Sequence, residues 1–341
     1  MIMKRWTYAA ITIVIVVAAA VGFWTWKAKQ TRKLIVFHAG SLTKVVEDLG
    51  AVLSEEYGIR VVNEPSGSVD AVRKVTDLGR PCDVLMVADY RLVRDMMFNG
   101  GYANWVLVLA SNEMVVAYTD KSPYAEEINS ENWLEILLRD KVRVGFANPN
   151  RDPCGYRALM VLALASIHYG TEEPLRMLED HASITYTNNG TSVLIDATEL
   201  QPDSAKVFVR DKSVDLVLLL ETGVLDYAFE YRNVAQAKGL KFVELPDEVN
   251  LANPDMDDLY SKVAVEIVGA GGSTQTLSGS SIAYGVTVPN CAVHQNDAVR
   301  FVELLLSDGG RQILTEDGFR PMETPFVIGA SPQWLEELIE G

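Results

Sequence analysis

Short apolar runs alternate with amphipathic stretches along most of the chain, and this alternation predicts strands followed by helices. The runs at 34–37, 59–63 and 82–89 are typical of buried strands, and apolar residues recur at helical spacing after each of them. Repeated strand–helix units predict an α/β fold in which a mostly parallel sheet is covered on both faces by helices.

Two further apolar runs lie far apart in sequence, at 106–119 and 282–289. We expect the first to be one long or bulged strand and both to belong to one sheet, with the chain between them inserted as a second unit. Residues 244–281, which are polar and rich in glycine and serine, are expected to be mostly irregular. The predicted division is a first lobe built from 34–124 and 241–341 and a second lobe at 125–240. Two lobes joined by two chain crossings are typical of a hinged binding protein that closes around its ligand.

The first 33 residues have a different character. An apolar run without charge at 6–26 follows Lys4 and Arg5, carries aromatic residues at both ends and is long enough to span a bilayer. Residues 1–33 are therefore predicted to be a membrane anchor or signal segment, and an uncleaved anchor is favoured. The rest of the chain would lie on the extracytoplasmic face.

Charge narrows the range of partners. The formal net charge is −16, and because residues 1–33 contribute six positive charges and no negative one, the other 308 residues carry −22. Such a surface repels nucleic acid and anionic lipid, so an anionic ligand would have to be held by local donors. The three cysteines and four histidines are scattered, which predicts neither a disulfide framework nor a helical metal site.

Two serines share one setting, in which a strand or extended segment is followed by glycine, serine and a helix. Ser41 lies in "FHAGSL" and Ser68 in "PSGSV". Glycine permits close backbone approach, and free N–H groups at a helix N-terminus favour anions. Both turns are therefore predicted to offer donors to an anion, while the alternative is that both serines are ordinary helix caps.

Two acidic residues lie in segments that are expected to adjoin this predicted anion site. Asp152 belongs to "ANPNRDPCGYR", a loop that opens a helix and in which Ala147 can offer a backbone N–H; Glu230 belongs to "DYAFEYRN" at the end of an apolar strand. The alternatives are that Asp152 is a turn former or cap and that Glu230 is an edge-strand charge facing solvent.

Five motifs resemble one family in order over about residues 33–330: "FHAGSL", "GSVDAVRKVTDLGRPCDVLMVADY", "GFANPNRDPCGYRALM", "DYAFEYRNVA" and "FVELPDEVNL". They are similar to the archaeal tungstate/molybdate-binding proteins of ABC importers, the WtpA/ModA type. The resemblance implies a two-lobe type II periplasmic-binding-protein fold, with mixed sheets flanked by helices and a ligand cleft between the lobes. It also implies capture of tungstate or molybdate outside the cell and delivery to a permease driven by a cytoplasmic ATPase. No cofactor and no enzymatic activity are expected, and the chain is expected to act as a monomer.

The same resemblance explains the carboxylates. In this family two protein carboxylates add to the metal of the oxyanion and make it six-coordinate, and Asp152 and Glu230 match these positions, with Glu221 the less favoured second carboxylate. The oxo groups would be hydrogen-bonded by four further residues: Ser41, Ser68, the Ala147 N–H and Tyr231. Asn233 departs from the serine expected in the family, at a position that we expect to be peripheral.

Rival functions remain open at the level of sequence. A sulfate or phosphate binder would use the same fold, although two carboxylates oppose an anion that brings no metal. A ferric-ion binder would need adjacent tyrosines, which Tyr231 lacks. A membrane-anchored enzyme is a rival from a different class. The sequence contains no nucleophile elbow, zinc motif or Walker loop, and the one candidate pair for catalysis is Ser41 with His38. A sensor ectodomain is a further class.

Overall fold

The computed structural model describes residues 32–269 and 272–340. The apolar run at 6–26, predicted as an anchor, lies outside these residues. Within the described ranges, none of the helices combines the length and the apolar character that crossing a membrane would require.

Fifteen strands are present in the part of the chain that the structure describes. In chain order they are β1 (Arg32–Ala39), β2 (Ile59–Ser66), β3 (Val84–Val87), β4 (Trp105–Ser111), β5 (Met114–Tyr118), β6 (Val144–Ala147), β7 (Thr185–Asn188), β8 (Val193–Asp196), β9 (Val207–Arg210), β10 (Tyr227–Tyr231), β11 (Lys241–Glu244), β12 (Val263–Val268), β13 (Thr274–Ser278), β14 (Ala283–Thr287) and β15 (Arg320–Gly329).

The strands form three sheets. The first sheet has the order β15-β4-β14-β3-β1-β2, the second β11-β5-β10-β6-β9 and the third β13-β12-β8-β7. In the first sheet β1 pairs in parallel with β2 and β3, while β14 runs antiparallel to both β3 and β4. In the second sheet β6 is parallel to β9 and β10, but β5 is antiparallel to β10 and β11. The sheets are therefore mixed, which confirms the fold class implied by the resemblance. The expectation of a mostly parallel sheet is wrong, because three of the five strand pairings in the first sheet are antiparallel.

The helices flank these sheets. They are α1 (Thr43–Tyr57), α2 (Ser68–Thr76), α3 (Arg91–Val93) with a π-helical turn after it (Arg94–Phe98), α4 (Trp133–Leu138), α5 (Pro153–Tyr169), α6 (Glu173–Ala182), α7 (Val214–Thr222), α8 (Arg232–Ala237), α9 (Asp247–Asn250), α10 (Asp257–Tyr260), α11 (Gln295–Leu306), α12 (Asp308–Glu316) and α13 (Gln333–Glu340). Helix α5 is buried on all sides over residues 153–166, which explains why its sequence has no polar face. It packs against the second sheet through β6 and β10 and against the third through β12.

The prediction of one strand at 106–119 is wrong. β4 ends at Ser111 and β5 begins at Met114, and the two strands belong to different sheets. Between them, where the chain passes from the first sheet into the second, the Asn112 side chain accepts a hydrogen bond from the Glu113 N–H at 2.9 Å. The prediction that this run shares a sheet with 282–289 holds for β4, which pairs with β14. The lobe boundaries at 124/125 and 240/241 stay a prediction.

The expectation that 244–281 is mostly irregular is also wrong. This segment contains β12 and β13, which join β8 and β7 in the third sheet. In β12, Val263, Val265 and Ile267 are buried, while the residues between them are partly exposed. That alternation is typical of a half-buried strand. The sequence of β12, "VAVEIV", has Glu266 as its one polar residue, so it carries the signal of an apolar run, which the expectation of an irregular segment overlooks.

Candidate functional site

Loops from the first and second sheets meet in tight contact at two glycines. A Cβ atom on Gly67 would lie 2.1 Å from the Arg151 carbonyl oxygen, which also accepts a hydrogen bond from the Val69 N–H at 3.1 Å. A Cβ on Gly40 would lie 3.2 Å from a methyl group of Val214, at the start of α7. The cleft between the two sheets is therefore closed at both glycine–serine turns.

Ser41 is buried in a 3₁₀ turn, Gly40–Leu42, at the end of β1. Its Oγ lies 3.1 Å from the hydroxyl of Tyr284 on β14, and that hydroxyl is 3.4 Å from the Asn112 Nδ2 donor. Since the Tyr284 hydroxyl accepts from Asn112, it can donate to Ser41. The Ser41 hydrogen is then available to a ligand, and in the described structure this side chain does not cap α1, whose N-cap is Leu42.

Ser68 is fully buried at the first position of α2. Its Oγ accepts a hydrogen bond from the Ala88 N–H at 2.9 Å, just beyond β3. One lone pair of this oxygen is thereby used by the protein, and its O–H is available as a donor. The cap position of α2 belongs to Gly67, so the reading of Ser68 as an ordinary N-cap does not hold.

Ala147 and Tyr231 end neighbouring strands of the second sheet. β6 and β10 pair in parallel, with Ala228 opposite Gly145, and extending this register puts Glu230 beside Ala147. Both Ala147 and Tyr231 are buried, and the Tyr231 hydroxyl accepts a hydrogen bond from Arg157 Nη1 at 2.7 Å. Burial raises the pKa of Tyr231 well above its ordinary value, so the hydroxyl keeps its proton and can donate it.

Asp152 caps α5, as its alternative reading predicted. Oδ1 accepts from the Cys154 N–H and Oδ2 from the Ser213 N–H, both at 3.0 Å. Burial raises the pKa of Asp152 to about 6, against the effect of these two backbone hydrogen bonds. Each carboxylate oxygen uses one lone pair in this way and has another free, so the capping role leaves room for a ligand.

Glu230 is fully buried on β10, a central strand between β5 and β6, which excludes the reading as a solvent-facing edge charge. Its Oε2 accepts a long hydrogen bond from the Tyr231 N–H, at 3.3 Å, and its Oε1 is buried with no hydrogen-bond partner among the described residues. Burial first, and then the negative charge of Asp152, raises the pKa of Glu230 to about 8, against the effect of the Ser213 side chain and the Tyr231 N–H. Burying a carboxylate oxygen without a hydrogen-bond partner costs free energy, which indicates that this oxygen binds a ligand.

Glu221, the less favoured second carboxylate, lies elsewhere. It is exposed near the C-terminal end of α7, whereas the Ser213 N–H that binds Asp152 precedes the N-terminal end of the same helix. The negative charge of Asp152 acts on Glu230, so these two carboxyl groups lie in the same region, whereas Glu221 lies at the surface.

Sequence reasoning missed several polar residues of this region. Arg157 is 1% exposed and contacts the Tyr231 hydroxyl; the signal for it was a lone arginine in the apolar sequence of α5. Asn233 is not peripheral, because its Nδ2 donates to the Ser41 carbonyl at 2.9 Å and its Oδ1 accepts from Asn112. It therefore joins the turn after β10 to the turn after β1.

The described residues give little support to an enzyme that pairs Ser41 with His38, or to a site built from a cluster of metal-ligating side chains. Both ring nitrogens of His38 are engaged, by the Ala39 carbonyl and the Asn63 side chain, so His38 does not pair with Ser41. Among residues 32–269 and 272–340, no group of three or more histidine, cysteine and acidic side chains is arranged to hold a metal ion.

The mixed sheets, the two sets of loops that meet at Gly40 and Gly67, and the flanking helices define a type II periplasmic-binding-protein fold. Solved structures share it. The periplasmic molybdate-binding protein of Azotobacter vinelandii superposes with a TM-score of 0.56 at 13% identity, covering 88% of this chain and 100% of that one. The sulfate-binding protein SubI of Mycobacterium tuberculosis H37Rv gives 0.52 at 15% identity, covering 86% and 88%.

Comparison of sequences is more specific. Residues 34–320 match the family model of bacterial extracellular solute-binding proteins, and the chain belongs to this family. An uncharacterised solute-binding protein of Methanoculleus marisnigri is 44% identical over 92% of this chain and 88% of its own length. The molybdate/tungstate-binding protein WtpA of Pyrococcus abyssi is 38% identical over 97% of this chain and 97% of its own length. The protein of the same name from Thermococcus kodakarensis is 37% identical over 92% of this chain and 89% of its own length.

Proposed function

We propose that this protein captures tungstate and molybdate outside the cytoplasm and delivers them to the permease of an ABC importer. The similarity to the two WtpA proteins along nearly the whole chain supports the ligand class. The observation that carries the proposal is the unpartnered Oε1 of Glu230, buried beside the carboxyl group of Asp152.

Hydroxyl groups would hold the oxo atoms. The hydroxyl oxygens of Ser41, Ser68 and Tyr231 each have a protein donor within reach, so each can direct its own hydrogen to an anion. The Ala147 N–H is proposed as a fourth donor. Hydrogen bonds of this kind to a charged oxygen are stronger than those between neutral groups.

The carboxylates would bind the metal centre. W(VI) and Mo(VI) are large, hard centres that accept oxygen ligands beyond their four oxo groups. Asp152 and Glu230 would each supply one oxygen, which satisfies Glu230 Oε1 and makes the metal six-coordinate. Sulfur does not expand its shell in this way, so sulfate would meet two carboxylates with no compensating bond.

The proposed setting is an import system. Residues 6–26 would anchor the chain in the membrane, and the rest would act as a monomer on the extracytoplasmic face. Its partners would be the permease and the ATPase that drives it. No cofactor and no enzymatic activity belong to the proposal.

Calorimetric titration of the full-length protein with tungstate, molybdate and sulfate tests the function. Tungstate is expected to bind at least roughly a thousandfold more tightly than sulfate, a gap of about 4 kcal/mol. An X-ray absorption spectrum of the bound tungsten should show six oxygen neighbours, two of them at longer distance. Comparable affinities for sulfate and tungstate would favour the sulfate-type rival, and four equal short bonds would leave the carboxylates without a role in coordination.

Gly67 offers a test of closure. Its φ of −64° and ψ of 147° suit any residue, so Gly67→Ala adds only a methyl group, which would press on the Arg151 carbonyl and hold the loops apart. We expect tungstate affinity to fall at least about tenfold, because the donors of the two sheets no longer converge. Gly309→Ala is the matched control, since its nearest contact would be an ordinary 3.7 Å. Equal affinities of the two variants, measured by the same titration, would show that the Gly67–Arg151 contact is not needed for binding.

A further inference from the structure

Arg157 is a buried cation that the proposed binding of oxyanions does not use. It lies on α5, is 1% exposed, and its Nη1 donates to the Ala88 carbonyl and to the Tyr231 hydroxyl, both at 2.7 Å. Its Nε is buried without a hydrogen-bond partner in the described structure. Burying a guanidinium group costs free energy when one of its N–H groups has no hydrogen-bond partner, which indicates that Arg157 has a functional role at this position.

The contacts of Arg157 connect both sides of the cleft. Ala88 follows β3 of the first sheet, and its N–H donates to Ser68 Oγ, while its carbonyl accepts from Arg157. Tyr231 ends β10 of the second sheet. One guanidinium group thus contacts the hydroxyl of Tyr231 and the residue whose N–H binds Ser68, and Tyr231 and Ser68 are two of the proposed oxo-binding residues.

The nearby carboxylate does not neutralise this charge. Asp89 is already bound by Arg91, with Nη2 at 2.6 Å and Nε at 3.0 Å, and by the Tyr156 hydroxyl at 2.8 Å. Arg157 Nη2 is 3.5 Å from the same carboxylate, which is a weaker contact. Two guanidinium groups therefore face Asp89, and the buried charge of Arg157, which also acts on the Asp152 carboxyl group, stands behind Tyr231.

We propose that Arg157 is a positioning residue for the oxyanion, which directs the Tyr231 hydroxyl toward the ligand. An oxygen that accepts from a guanidinium group turns its own O–H away from that donor, and the ligand is the acceptor that remains. The positive charge of Arg157 strengthens this donor in a buried setting. The inference rests on the proposed function, because it assigns Arg157 to the same anion site.

A double-mutant cycle for tungstate binding tests it, with the full-length wild type, Arg157→Gln, Tyr231→Phe and the double variant titrated by calorimetry. Arg157→Gln is expected to lower tungstate affinity at least about tenfold, and less than about threefold when Tyr231 is already phenylalanine. A role limited to folding would give equal losses in both backgrounds. Arg157→Lys keeps the positive charge but lacks the planar guanidinium group, so its loss of tungstate affinity should be intermediate. If Arg157→Gln fails to fold, Arg157→Lys replaces it in the cycle.

Arg143→Gln is the matched control. Arg143 also binds a buried carboxylate, Asp226, at 2.6 Å, but its contacts are confined to the opposite end of β6 and β10. Its loss should reduce thermal stability and leave tungstate affinity within about threefold of the wild type. Additive losses from Arg157 and Tyr231, with tungstate binding intact in the wild type, would overturn this inference alone. Failure of the wild type to bind tungstate or molybdate would overturn the proposed function and this inference with it.

Discussion

Asp152→Asn and Glu230→Gln are each expected to reduce tungstate affinity at least about a hundredfold, because each removes one charged ligand from a buried metal centre. Both substitutions keep the size of the side chain. Asparagine also remains a good helix cap, so the contact with the Cys154 N–H is preserved in Asp152→Asn, but its amide nitrogen cannot accept from the Ser213 N–H. Calorimetric titration measures the loss of affinity, and thermal unfolding of the unliganded variant measures separately the cost of the lost Ser213 hydrogen bond.

Glu221→Gln is the control for these two variants. Glu221 is exposed near the end of α7, where a charge contributes only about 0.3–1 kcal/mol through the helix dipole. Its tungstate affinity should match that of the wild type. The double variant Asp152→Asn with Glu230→Gln should also bind sulfate more tightly relative to tungstate, because repulsion is removed. Similar losses from Glu221, Asp152 and Glu230 would show that the carboxylates were assigned wrongly.

The second large effect is a pH dependence of opposite sign for the two kinds of anion. In the unliganded protein the pKa of Asp152 is raised to about 6 and that of Glu230 to about 8, both by burial first. A carboxyl group must lose its proton before it coordinates a metal. Tungstate binding should therefore release protons, and its affinity should rise with pH through about 6 to 8 and level off above.

Sulfate offers no metal, so it should bind best when both carboxyl groups are protonated. Its affinity should fall as the pH rises through the same window. Titration of tungstate in buffers of different ionisation enthalpy counts the protons released. A tungstate affinity that does not change between pH 6 and 8, the two pKa values above, with no proton release, would rule out coordination by these groups.

The same shifts affect the stability of the unliganded protein. The folded-state pKa values of Asp152 and Glu230 exceed the values of about 3.9 and 4.3 that these groups have in an unfolded chain. The folded protein then binds more protons than the unfolded chain at intermediate pH, so the free energy of unfolding decreases as the pH rises from about 4 to 8. Bound tungstate should remove this decrease, since it stabilises the ionised carboxylates.

The strand–helix units could be predicted from sequence because buried parallel strands are continuous apolar runs, as in β1 and β3. The break at Asn112 and Glu113 has a local signal, because Ser111, Asn112 and Glu113 are three consecutive polar residues between two apolar runs. The sequence does not show that the two runs enter different sheets, since that depends on pairing with β14 and β10, which lie far along the chain.

The candidate site shows the same limit. Ser41, Ser68 and Asp152 lie in local turn motifs, and these can be recognised along the chain. Tyr284 is 243 residues from Ser41, and Arg157 is 69 residues from Ala88, so neither contact has a sequence signal beyond an unexpected polar residue in an apolar element. The orientation of the hydroxyl groups depends on such distant partners.

The contact between Gly67 and Arg151 also bears on how quickly ligand leaves. Ser41, Ser68, Asp152, Glu230 and Tyr231 are all at least nine-tenths buried, so an anion held among them would be shielded from solvent while the loops touch. Separation of the two sheets then becomes the step that limits dissociation, whatever the strength of the individual bonds. Residence time would be set by the opening frequency of the cleft, and the permease could hasten release by holding the cleft open, with no need to compete for the metal.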